Sequence, residues 1–306
     1  MAIQQLTVES RVAFPLNTVG ILREAVKLPA RNGKLMLQLM ILVFSPLYLL
    51  VLIHNLVAGP LMNKIEDDYE QSSVDQNDVR SLVGIELLLF GVFSFVSLWG
   101  TTLTIYAAST IYIGKDIKFN DLFSWMRASW KNPLITWLYV YFLSAIYIVL
   151  VTVMIKLVSV VCSSIWDWMV GVLGVVFYFY LFAQWALALI VSVMDEDSCG
   201  VKAVGRARKL IAGREVQGWF LMLILVVISV PICVVFYVTL THDDDDELGA
   251  FTQFAFGFFA TVILCQAKFF TFVVFTVFCY ECKQGHGEME SEAGNCLVSH
   301  ERGVHN

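Results

Sequence analysis

KDIKFNDLFSWMRASWK, Lys115–Lys131, is a polar and basic stretch set between two long apolar runs, Val83–Ile113 and Pro133–Val158. Each run exceeds the roughly 20 residues that cross a bilayer at about 1.5 Å rise per residue. A second stretch of this kind, Asp195–Gly218 (DEDSCGVKAVGRARKLIAGREVQG), separates another such pair. Basic bridges between membrane-length helices predict an all-α, polytopic transmembrane bundle with cytosolic amphipathic bridge helices. Working outward gives six spans: Leu35–Ala58, Leu82–Ile113, Pro133–Val158, Ile165–Met194, Val216–Leu240 and Gly249–Tyr280. The chain then divides into a cytosolic N-terminal segment (1–34), a six-span membrane domain (35–280) and a cytosolic tail (281–306). The tail's Gly, Ser, Glu and His content predicts disorder.

Composition agrees. The chain is 58% hydrophobic and 15% charged, against about 25% charged in a soluble domain. With the N-terminus, both bridges and the tail on one side, that side holds five Lys or Arg before the first span. It holds four more in the first bridge, five in the second and two in the tail. The opposite side holds only Lys64, Arg80 and Lys156. The positive-inside rule therefore puts both termini and both bridges in the cytosol, at the endoplasmic reticulum, another endomembrane or the plasma membrane. Basic residues so close to a membrane call for anionic headgroups rather than nucleic acid, and the candidate lipid contacts are Lys115, Lys118, Arg206, Arg208 and Lys209.

The bridges carry helical periodicity. Phe119, Leu122, Phe123 and Met126 recur at 3,4 spacing, with Asn120 or Asp121 to cap the start. Val201, Val204, Ala207, Leu210 and Ile211 share a face in the second bridge, and Gly213 supplies a stop. Phe14–Leu28 is more weakly patterned. It fits a helix lying in the interface or one packed on the cytosolic loops. Spans two–three and four–five share one plan, as parallel repeats in some transporters do, though any even-span protein with basic inner loops has this outline.

An ionisable group inside a membrane is costly and therefore a candidate. Lys268 in span six is the sharpest, with Gln184, Gln266 and Thr101 at similar depth. These residues suit a midplane site for an anionic or carbonyl-bearing ligand, or a buried lysine satisfied by amides and hydroxyls. His54 and Glu86 lie below the outer surface and can pair. Lys156 and Asp167 flank the turn between spans three and four and suit a weak surface ion pair. Cys279 and Cys282 form a juxtamembrane CYEC pair, a palmitoylation candidate with too few further ligands for zinc. Only Cys162 falls near the outer side, so no extracellular disulfide network is expected. Asp243–Glu247 reads as a solvated acidic loop, and Asp195, Glu196 and Asp197 as partners of the basic bridge. No G-x-S-x-G, H-E-x-x-H or G-x-x-x-x-G-K-[ST] pattern occurs, so neither enzymatic activity nor a cofactor or metal is expected.

The stretches GKDIKFNDLF (Gly114–Phe123), SWKNPLIT (Ser129–Thr136) and GVKAVGRARKLIAG (Gly200–Gly213, after Glu196) carry a resemblance. Over about Lys34–Cys282 the chain resembles a plant family of six-span membrane proteins of unknown function. More distantly it resembles the membrane domain that precedes bacterial glycerophosphodiester phosphodiesterases. The resemblance implies the membrane fold and no catalytic residue, and the phosphodiesterase's soluble domain has no counterpart in this sequence. The expected function is a non-enzymatic adaptor or organising and trafficking component, with protein partners at the bridges and tail. The alternative is a transporter or lipid-handling protein with a polar site around Lys268 and Gln184.

Overall fold

The computed structural model describes residues 16–70, 75–115, 117–161, 164–195, 197–240 and 247–285. Cys162, Glu196, the acidic loop up to residue 246 and the tail beyond Gly285 lie outside the described residues. Among the described residues the chain is all-helical, without strands. The elements are α1 (Thr18–Arg31), α2 (Gly33–Glu70), α3 (Gln76–Ile113), α4 (Phe119–Ser129), α5 (Lys131–Val161), α6 (Ser164–Met194), α7 (Val201–Ile211), α8 (Glu215–Leu240) and α9 (Glu247–Gly285).

Five helical stretches are long and apolar enough to cross a membrane: Gly33–Met62, Gln76–Ile113, Lys131–Val160, Ile165–Met194 and Thr261–Gly285. A sixth is counted if Val201–Ile211 and Glu215–Pro231, bent by 103°, are taken together. Helices overrun the hydropathy boundaries. α2 passes through Pro46 and Pro60 and ends at Glu70 rather than Ala58, because hydropathy marks where lipid stops, not where helix stops. Asp75 caps α3 by accepting from the Asn77 backbone N–H at 2.9 Å, and Lys64 meets Asp78 at 2.5 Å across the extended helix pair. The expected tail loses its first residues too, since α9 continues to Gly285.

The helices form three hairpins: α2–α3, α5–α6 and α8–α9. The second helix of each is an inner helix, and α3, α6 and α9 pack on one another. Each outer helix packs on its own partner and on the inner helix of the preceding hairpin: α2 on α3 and α9, α5 on α6 and α3, α8 on α9 and α6. The short helices follow the same rule, with α4 on α3, α7 on α6 and α1 on α9. The repeating unit is one short amphipathic helix plus a hairpin, and the contact pattern closes after three units. The sequence repeat of two units cuts this unit in the middle.

The core occupies one half of the bundle. Most buried side chains lie from Leu98 to Ile111 in α3, from Ala183 to Val193 in α6 and from Phe269 to Cys282 in α9, with Ser94 and Thr261 buried further along α3 and α9. The short helices cap this end. α1 buries Ile21, Ala25 and Leu28, α4 buries Leu122 and Met126, and α7 buries Ala203, Ala207, Leu210 and Ile211. Trp125 stacks on Tyr106 with ring centroids 4.0 Å apart. Each fully buried Leu or Ile contributes about 1.5–3 kcal/mol, which holds helices too short to persist alone. Their buried apolar residues thus lie against protein, while Val19 and Val26 of α1 and Val201 of α7 stay exposed.

Thr136 fixes the start of α7. Its fully buried hydroxyl donates to the Asn132 carbonyl at 3.0 Å and accepts from the Gly200 N–H at 2.9 Å. Gly200 has φ +54°, which L side chains rarely adopt. Thr136→Val keeps the shape but strands the buried N–H, and is expected to cost about 1–2 kcal/mol. Thermal unfolding in detergent checks this, and Thr136→Ser should unfold close to wild type.

Candidate functional site

Lys268 projects from α9 towards α3, where its Nζ donates to the Ser97 hydroxyl. Its helix stripe includes Thr261 and Phe272, both buried, with half-buried Cys265 between. Phe259, Ile263 and Gln266 form a different stripe of α9, and all three are exposed. Gln266 therefore does not join Lys268, since two residues along an α-helix turn about 200°. Thr101 is on the Ser97 face, one turn on, and its hydroxyl donates to the Ser97 carbonyl at 2.8 Å. Gln184 is half-buried on α6, and the structure shows no contact joining it to Lys268. Of the four polar candidates, Lys268 and Thr101 share the Ser97 neighbourhood.

Sequence reasoning missed a second polar centre, inside the capped end. Asp195, just after α6, accepts from Lys283 Nζ at 3.2 Å through Oδ1. Arg206 of α7 stands 3.1 Å from its Oδ2, a charge contact rather than an aligned hydrogen bond. Lys283 is 2% exposed, so this cluster locks α6, α7 and α9 together. Asp195 does meet the basic bridge, as its position suggested. Glu281, 6% exposed, accepts from the Leu16 N–H at 3.2 Å and from the Tyr112 hydroxyl at 3.3 Å. Asp195 is 88 residues from Lys283, and Glu281 is 169 or more from Tyr112 and Leu16, beyond the reach of periodicity.

Cys279 and Cys282 are fully buried within α9. This burial speaks against palmitoylation, because an acyl donor cannot reach either thiol unless the helix end opens. His54 and Glu86 do pair, at 2.8 Å. Lys156 and Asp167 form no ion pair among the described residues, and Asp167 Oδ1 is buried with no hydrogen-bond partner. Among the described residues no three His, Cys, Asp or Glu side chains are grouped to hold a metal ion. An open cavity of about 480 Å³ lies where α1 begins, bordered by Leu16, Arg214, Gln217 and Phe220. Arg214 is already engaged, donating to the Glu281 carbonyl at 3.2 Å.

The outer surface of the cap is basic. Lys115, Lys118, Arg127, Lys131, Lys202, Arg208 and Lys209 are exposed, and none makes an ion pair among the described residues. Arg206 differs from its neighbours in being tied to Asp195, so it contributes to the cap's structure rather than to a free basic surface.

Five to six helices long and apolar enough to cross a membrane, arranged in hairpins with amphipathic helices at one end, are consistent with an integral membrane protein. The chain belongs to the family described as a domain of unknown function (DUF8558), which matches residues 10–293. Comparison with curated proteins and with solved structures gives no match.

Proposed function

We propose that the protein is a six-span, non-enzymatic organiser of a cellular membrane, with the capped end and both termini in the cytosol. Its cap rests against anionic headgroups, and partner proteins dock on the bridges and tail. The supporting observation is the set of exposed cations on α4, α7 and the turns beside them, none ion-paired among the described residues. Such charges near a lipid surface each contribute about 1 kcal/mol of attraction. Because most of the apolar side chains of α4 and α7 pack on the bundle, with Val201 exposed, attraction to lipid is chiefly electrostatic. This reading retains the kinship with plant six-span proteins and, distantly, with the membrane domain before bacterial glycerophosphodiester phosphodiesterases. It carries over no phosphodiesterase activity.

The test uses protein in neutral nanodiscs, mixed with phosphatidylserine vesicles. Wild type should bind, and binding should weaken as salt rises. Substituting Lys115, Lys118, Arg208 and Lys209 by Gln should reduce affinity by roughly a hundredfold or more, from about 1 kcal/mol per charge. Equal binding by wild type and the quadruple variant would sink the headgroup reading.

A further inference from the structure

We infer that the crevice at Lys268 binds the head group of an anionic amphiphile, a carboxylate or phosphate borne on an apolar body. Lys268 lies on an inward stripe of α9 yet is exposed, so it opens onto space inside the bundle rather than onto the outer wall. The burial pattern locates that space. Towards the capped end the inner helices close on one another from Leu98, Ala183 and Phe269 onward. Towards the other end burial thins, with Ser94 and Thr261 the buried exceptions on α3 and α9. Leu87, Leu88 and Phe90 of α3 are exposed, and so are Val172, Leu173 and Val175 of α6. Lys268 and Ser97 therefore sit at the floor of an opening between hairpins, with apolar walls above.

The floor holds a cation without an anion. The Ser97 hydroxyl is neutral, and among the described residues the titratable neighbour acting on Lys268 is the Cys265 thiol, with no carboxylate. Glu86 is 11 residues up α3 from Ser97, about 16 Å at helical rise, and is held by His54. A bare ammonium between apolar walls is costly, and an oxyanion hydrogen-bonded by Lys268 and Ser97 relieves that cost with charge-assisted bonds. The walls select a ligand with an apolar body. An acidic residue on a partner's membrane helix fits less well, because Lys268 faces inward.

The inference rests on the six-span reading only in placing this crevice inside the bilayer. Binding of vesicles by the cap and of amphiphile by the crevice fail independently. The probes are palmitate, hexadecyl phosphate, hexadecanol and inorganic phosphate, added to detergent-purified wild type, Lys268→Met and Lys268→Arg, with thermal shift as readout. One or both of the anionic amphiphiles should stabilise wild type saturably, and which does so identifies the head group. Hexadecanol and inorganic phosphate should not. Lys268→Met should lower affinity at least tenfold, and Lys268→Arg should retain it. Equal response of wild type and Lys268→Met, or an equal response to hexadecanol, overturns the proposal, as does stabilisation by inorganic phosphate alone. If Lys268→Met does not fold, palmitate with a diazirine at its chain end decides the matter in wild type. Labelling on Leu87–Phe95 or Val172–Phe177 supports the site. Labelling confined to the outer face of α5 overturns it.

Discussion

Asp195→Ala is expected to destabilise the protein by about 3–5 kcal/mol, the usual cost of removing one partner from a buried ion pair. The size follows from asymmetry within the cluster. Arg206 keeps 37% of its side chain exposed and can turn to water, whereas Lys283 keeps 3% and cannot. Without Asp195 the Lys283 ammonium is left buried, with its principal anion gone. The same loss frees the turn between α6 and α7 from α9. Thermal unfolding in detergent should show the loss directly. The double variant Asp195→Ala/Lys283→Leu should recover much of it, because an apolar replacement of both charges removes the stranded ammonium. If the double variant is no more stable than Asp195→Ala alone, the buried charge is not the cause. A single variant as stable as wild type would remove the cluster's structural role.

Hydropathy reveals the long helices because the physical requirement is simple: about 20 apolar residues must replace water along each span. It does not reveal their ends. Residues 59–70 are polar enough to read as a loop, yet α2 continues through them to Glu70. The amphipathic faces of α4 and α7 are equally legible from periodicity. Their partner is not, since Leu122 or Leu210 prefers protein and lipid almost equally. Ile21, Ala25 and Leu28 show α1 packed on the bundle, while Val19 and Val26 stay exposed.

Polar centres follow a similar division. Lys268 stands out in an apolar run, and its inward stripe follows from helical geometry once Thr261, Cys265 and Phe272 are seen together. The same geometry separates Gln266, which depth alone had grouped with it. Lys283 gives no such signal. Beside a predicted membrane boundary a lysine looks like a snorkelling side chain, and only the fold shows Asp195 waiting 88 residues away in sequence. Cys279 and Cys282 mislead for a related reason. A juxtamembrane cysteine looks accessible until α7 and α1 are found packed against the helix that carries it.

Gly100→Leu is expected to cost about 3 kcal/mol, at the upper end of overpacking penalties. α2 and α3 approach closely there. A Cβ added at Gly100 would lie 2.6 Å from Val43 Cγ1 and 2.8 Å from its Cγ2. Small residues serve this purpose in membrane helices, where close backbone approach supplies much of the association energy. Val43 cannot step aside, because a β-branched side chain in a helix has one strongly preferred rotamer. The hairpin must therefore open, and Ser97, one turn from Gly100 on α3, moves with it. Shortening the opposing side chain should restore the fit: Val43→Ala combined with Gly100→Leu is expected to recover about 1–2 kcal/mol, a coupling in the range for touching residues. Recovery of stability together with amphiphile binding would tie the α2–α3 contact to the position of Ser97. Additive losses in the double variant would show that Gly100 does not act through Val43.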